Sequence, residues 1–87
     1  MIKGYCVEGV YTTSESTCEE VFSNEADAKD YYEKLILELK EEYGNQVKEV
    51  IDYITIYYAE SDDEEITSID ELGVGNIIYN IETFTYE

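Results

Sequence analysis

Residues 23–45 read SNEADAKDYYEKLILELKEEYGN, and their spacing decides the fold. Ala28, Tyr32, Leu35, Leu39 and Tyr43 recur at intervals of three and four residues, with Tyr31 and Ile36 flanking the stripe. That period places them on one face of an α-helix, because side chains three and four apart lie on the same side. Ser23 is expected to cap the N-terminus, with Glu25 and Asp27 in the first turn, where carboxylates complement the unpaired N–H groups. Gly44-Asn45 supplies the stop, since glycine readily takes the conformation that closes a helix. At 3.6 residues per turn the element runs for about five turns.

The segments on either side of the helix read as strands. Residues Lys3 to Thr13 and Thr17 to Phe22 are rich in Val, Tyr and Thr and are separated by Ser14-Glu15-Ser16, which predicts a β-hairpin turning near Ser14-Glu15. In that register Cys18 faces Tyr11, and Tyr5, Val7 and Tyr11 share an apolar face with Cys18 and Phe22. Cys6 then points to the opposite face from Cys18, which disfavours a disulfide between them. Beyond the helix, Val47 to Ala59 is expected as one long strand, with Ile54, Ile56 and Tyr58 on one face and Tyr53, Thr55 and Tyr57 on the other. Asn76 to Tyr86 makes the last strand. The acidic connection Glu60 to Gly75 carries a short helical turn at Ser68 to Leu72.

The order is β-β-α-β-β, an α+β class domain: one antiparallel sheet of about four strands, covered on one face by one helix. The other face is expected to stay open, with Tyr53 and Tyr57 beside Phe84 and Tyr86. A chain of 87 residues makes one domain, residues 1–87, with a core of modest size.

Charge limits the partners. The 22 Asp and Glu residues against 5 Lys, with neither Arg nor His, leave a formal charge of −17. Self-repulsion on that scale destabilises the compact state and exceeds what solubility requires. Nucleic acids and anionic membranes repel such a chain, and the proteins that hold them attract it, so a basic protein is the expected partner. The opening MIKGYCVE lacks the apolar run and cleavage site of a secretory signal, which predicts a cytoplasmic chain with reduced cysteines and no membrane partner.

The composition offers little to an enzyme. No His can serve Cys or Ser as a base, no Arg can clamp an anion, and no glycine-rich phosphate loop is present. Paired carboxylates are too numerous to single out an acid and a base, so no catalytic residue is assigned and no cofactor is expected. Glu60-Ser61-Asp62-Asp63-Glu64-Glu65 departs from the alternating ligands and central glycine of a calcium loop, so no metal site is expected either. Salt adaptation also enriches acid, but here Glu far outnumbers Asp, large apolar residues are plentiful and the acid is bunched.

What remains is the presentation of negative charge. Carboxylates three and four apart on a helix lie about 5–6 Å apart, of the order of neighbouring phosphates. Asp27, Asp30, Glu38 and Glu41 make such a row on the outward face of the helix; Leu37 among them reads either as a scattered surface residue or as a small apolar anchor inside an acidic interface. Glu60, Asp62, Asp63, Glu64 and Glu65 make a second cluster and Glu15, Glu19 and Glu20 a third. Tyr53 and Tyr57 add contact area at small entropic cost.

In size, charge and tyrosine content the whole chain resembles the small acidic inhibitors of phages and mobile elements: anti-CRISPR proteins, the uracil-DNA glycosylase inhibitor and related DNA mimics. The resemblance is one of type and carries no motif, so no functional residue is transferred by it. It implies a stoichiometric inhibitor occupying the nucleic-acid-binding surface of a host enzyme, with an RNA-guided nuclease as the first target to consider. Two other classes fit the same composition. One is an immunity or antitoxin-type module that neutralises a basic toxin; the other is an acidic structural domain that associates with itself through its open tyrosine face.

Overall fold

The computed structural model describes residues 1–12 and 17–85, with residues 17–19 and 74 described by backbone alone. The elements are β1 (Ile2–Tyr11), β2 (Thr17–Phe22), α1 (Glu25–Tyr43), α2 (Val47–Val50), β3 (Ile51–Ser61) and β4 (Ile77–Thr85). Single 3-10 turns occupy Gly44–Gln46, Ile69–Glu71 and Val74–Asn76. The strands form one antiparallel sheet in the order β2-β1-β3-β4, with α1 packed on one face. This is the α+β arrangement that the helical stripe and its flanking strands predict. Strands β2 and β3 both run antiparallel to β1, so they are parallel to each other and need a crossover to connect them. Helix α1 supplies it.

The core lies between α1 and this face of the sheet. Val7, Ile54 and Ile56 from the strands meet Ala28, Tyr32 and Leu39 from the helix, and Val47 and Ile51 close the cluster. Leu35, Ile36, Tyr31 and Tyr43 pack at its margin, as the spacing of the helix predicts. Burying each large aliphatic side chain here contributes about 1.5–3 kcal/mol.

The helix begins one residue later than expected. Asn24, not Ser23, is the N-cap: its Oδ1 accepts the Asp27 N–H at 2.8 Å, and its amide donates to the Asp27 carboxylate at 2.9 Å. A cap at 23 would place Ala26 in the returning position, where no side chain can answer. At the far end Gly44 has φ 55°, and its N–H donates to the Lys40 carbonyl.

The expected long strand starts at Ile51. Residues Val47–Val50 instead make one helical turn, which sets Val47 and Ile51 four apart and buries both. Thr12 fastens that turn, its N–H donating to the Val50 carbonyl at 2.8 Å and its hydroxyl to the Glu49 carbonyl.

The hairpin register is also shifted. Gly9, not Tyr11, faces Cys18, and Tyr5 faces Phe22. The shift preserves the parity of the faces, so positions 6 and 18 remain on opposite sides of the sheet, and Cys6 is a buried thiol outside any disulfide. The expected turn at Ser14-Glu15 falls outside the described residues.

The face away from α1 is only partly open. Leu72, 2% exposed, is seated on it by the 3-10 turn at Ile69–Glu71. Gly4 makes the room: a Cβ there would lie 3.0 Å from the Phe22 carbonyl oxygen and 3.4 Å from the Leu72 side chain. Phe84 does not join Tyr53 and Tyr57 on this face. It pairs with Ile54 and packs at the margin of the core, while Tyr86 lies outside the described residues.

Candidate protein-binding surfaces

The outward face of α1 carries Asp27, Asp30, Leu37, Glu38 and Glu41, all exposed, as their helical positions predict. Asp27 is engaged at the cap, so Asp30, Glu38 and Glu41 are the carboxylates of the row without that local task. Lys34 interrupts the row, whereas Lys40 is drawn off toward β4, its Nζ 5.2 Å from the centre of the Phe84 ring. Leu37 is 59% exposed among these carboxylates.

The second cluster divides into groups that shape the loop and groups that face solvent. Asp63 organises the turn: its N–H donates to the Ser61 hydroxyl at 3.2 Å, and its carboxylate accepts the Glu65 N–H at 2.9 Å. Asp62, Glu64 and Glu65 are exposed. Glu60 is half-buried in β3 and accepts a hydrogen bond from the Tyr58 hydroxyl at 2.9 Å.

Of the third cluster, Glu15 and the side chain of Glu19 lie outside what is described. Glu20 is exposed on the edge strand β2. It lines a shallow recess of about 350 Å³ with Val21, Asp70, Glu71, Leu72 and Gly73. Asp70 and Glu71 are some fifty positions from Glu20 and join it only because Leu72 docks on the sheet, so no spacing in the sequence announces the grouping. Among the described residues no three Cys, Asp or Glu side chains form a group able to hold a metal ion.

Tyr53 and Tyr57 are half-buried on the face opposite α1, above the buried Cys6 and Thr55. Burial pushes the Tyr53 hydroxyl above its usual pKa, and the Glu8 carboxylate, Tyr57 and Asp52 add to the effect in that order. These tyrosines and the acidic row of α1 are therefore on opposite sides of the domain, and one flat partner surface cannot cover both.

A further grouping was hidden in the sequence. The register sets Phe22 of β2, Tyr5 of β1, Tyr58 of β3 and Tyr79 of β4 side by side across the whole sheet, on the α1 side. Phe22 packs against Tyr31 of the helix at 5.3 Å between ring centres. Tyr5 meets Tyr58 edge-on at 5.5 Å, and Tyr58 stacks on Tyr79 at 5.2 Å. The row ends at Tyr79, 54% exposed. The hydrogen bond to Glu60 is the largest cause raising the Tyr58 pKa, followed by burial and then the charges of Glu60, Tyr5 and Tyr79.

No helix among the described residues is long and apolar enough to cross a membrane. No family model, no curated protein and no solved structure matches the chain.

Proposed function

We propose that this protein is a non-enzymatic cytoplasmic inhibitor that occupies the basic nucleic-acid-binding surface of a DNA-acting enzyme by presenting DNA-like charge. An RNA-guided nuclease, which would make the chain an anti-CRISPR protein, is the first target to consider. Charge per length supports this reading most directly. A formal charge of −17 on a body 45 Å long is one charge per about 2.6 Å of its axis, against about one per 1.7 Å for duplex DNA. The exposed carboxylates of α1 and of the Glu60–Glu65 segment concentrate it locally. A groove that attracts a phosphate backbone attracts this surface by the same long-range field, which speeds encounter, and binding releases the anions condensed on the groove.

The test is capture of partners from bacterial lysates on the immobilised protein in about 0.15 M salt, where screening suppresses loose attraction, followed by elution with duplex DNA. Recovery of a nucleic-acid enzyme that DNA displaces is the expected outcome. A partner indifferent to DNA would replace this reading with the immunity-type module, and an empty column would overturn the inhibitor reading. With the target in hand, reversing Asp62, Glu64 and Glu65 to Lys, sparing Asp63 because it shapes the turn, is expected to weaken binding and flatten its salt dependence. The same experiment on Asp30, Glu38 and Glu41 ranks the two acidic surfaces.

A further inference from the structure

Three of the exposed large apolar side chains, Met1 (75%), Ile78 (56%) and Tyr79 (54%), belong to the end of the sheet where β1 and β4 begin and β3 ends, whereas Leu37 is on α1. The same end of the sheet carries Tyr5 and Tyr58, half-buried, and runs directly into Glu60, Asp62, Glu64 and Glu65. An aromatic centre bordered by charge is the anatomy of an interface whose central contacts dominate its energy.

The occupant follows from charge. A second copy would bring another −17 against this acid border, and a nucleic acid would be repelled likewise. A cationic side chain suits both the tyrosine faces and the carboxylate of Glu60. Lys3 faces Glu60 in the β1–β3 register but is exposed, so its hold on that carboxylate in water is weak. Between the two cationic side chains, arginine fits better. Its planar, weakly hydrated guanidinium stacks on an aromatic ring and still donates in-plane hydrogen bonds, which the compact ammonium of lysine does not. Tyr58, held between two rings and by its bond to Glu60, backs the Tyr79 ring and leaves the opposite face of Tyr79 for this contact.

We infer that the exposed end of the Tyr5–Tyr58–Tyr79 row is the docking site for an arginine side chain of the basic partner protein, stacked on the open face of Tyr79, at the end of the sheet that carries the Glu60 carboxylate. This rests on the partner being basic, as proposed above, and it names the contact that supplies specificity beyond charge.

Octaarginine and octalysine peptides test it without knowledge of the partner, since they share charge and length and differ in the stacking group. Titrated into the intact protein at about 0.15 M salt, octaarginine is expected to bind more tightly, by about two- to fivefold for one exposed cation–aromatic contact. The ring resonances of Tyr79 and Tyr58 should shift with it. Tyr79→Ser, at an exposed edge position, should abolish the arginine preference and leave octalysine binding unchanged, and Tyr58→Leu should do the same by a second route. Neutralising Asp30, Glu38 and Glu41 should weaken both peptides alike. Equal affinities, a preference that survives both tyrosine variants, or shifts confined to α1 or to Tyr53 and Tyr57 would overturn the site. A wild-type dimer dispersed by Tyr79→Ser would overturn it too, by assigning the patch to a second copy. Failure of the inhibitor reading looks different: the capture column fails while the arginine preference stands.

Discussion

The Tyr32 hydroxyl ties stability to pH. Burial first, and the Glu82 carboxylate second, push its pKa up to about 12. The folded state thus resists losing this proton more than the unfolded chain does, where the group titrates near 10. The stabilising difference is fully present below pH 10 and is lost as pH rises from 10 through 12. Urea unfolding at pH 9 and pH 11.5 should show the loss, and Tyr32→Phe should reduce it while a residue remains from Tyr53 and Tyr58, which are raised in the same direction. If the variant loses as much stability as the parent over that range, Tyr32 is not the group responsible. At the other end of α1, Asn24→Ala is expected to cost about 1 kcal/mol and Ser23→Ala much less. Both residues are good caps, so composition did not separate them. The spacing did carry the distinction, because Asn24 has Asp27 three residues on and Ser23 has Ala26.

At the level of elements, the sequence was legible where one face is buried and the period is long. The stripe from Ala28 to Tyr43 identified α1 and its inward face, and the alternation around Ile54 and Ile56 identified the core face of β3. The hairpin kept its face assignment although its register shifted, because burial of Tyr5 and Val7 fixes parity, whereas Ser14-Glu15-Ser16 has no glycine to fix the length of the turn. Val47–Val50 misled because β-branched residues favour strands in general. Here the chain must bend from α1 into the sheet with Val47 and Ile51 both inward, and one helical turn achieves that. The tyrosine row was illegible for a different reason. It depends on the pairing of β3 with β4 across a connection of fifteen residues, and two register shifts interrupt that pairing. Leu72 was equally hidden, an apolar residue in an acidic connection. Leu72→Ala should cost about 2–4 kcal/mol, in the range for a buried leucine. It should also loosen the 3-10 turn, read as faster amide exchange at Leu72, whose N–H donates to the Ile69 carbonyl at 3.0 Å. Unchanged stability would mean that the connection merely rests on the sheet.

For the whole molecule, the dominant fact is that its shortest dimension, 17 Å, is comparable to the range of unscreened charge. At about 0.01 M salt the screening length is about 30 Å, so carboxylates on α1 repel those on the far side of the sheet as well as their own neighbours. At about 0.1 M it is about 10 Å, and only groups within one cluster still interact. Added sodium chloride is therefore expected to raise the melting temperature, steeply up to about 0.1 M and weakly beyond it. Each kcal/mol of repulsion relieved corresponds to about 4–8 °C in a domain of this size. Asp62→Asn, Glu64→Gln and Glu65→Gln together should raise the melting temperature at low salt and shrink its salt dependence, because these exposed groups contribute repulsion without the local bonding that Asp63 supplies. A melting temperature that falls with moderate salt would mean that attraction to the five lysines outweighs repulsion in the fold. The rise, if seen, fixes the sense of the linkage to a partner. A basic groove that neutralises the acidic faces relieves the same repulsion as salt does, so binding and folding stability should increase together.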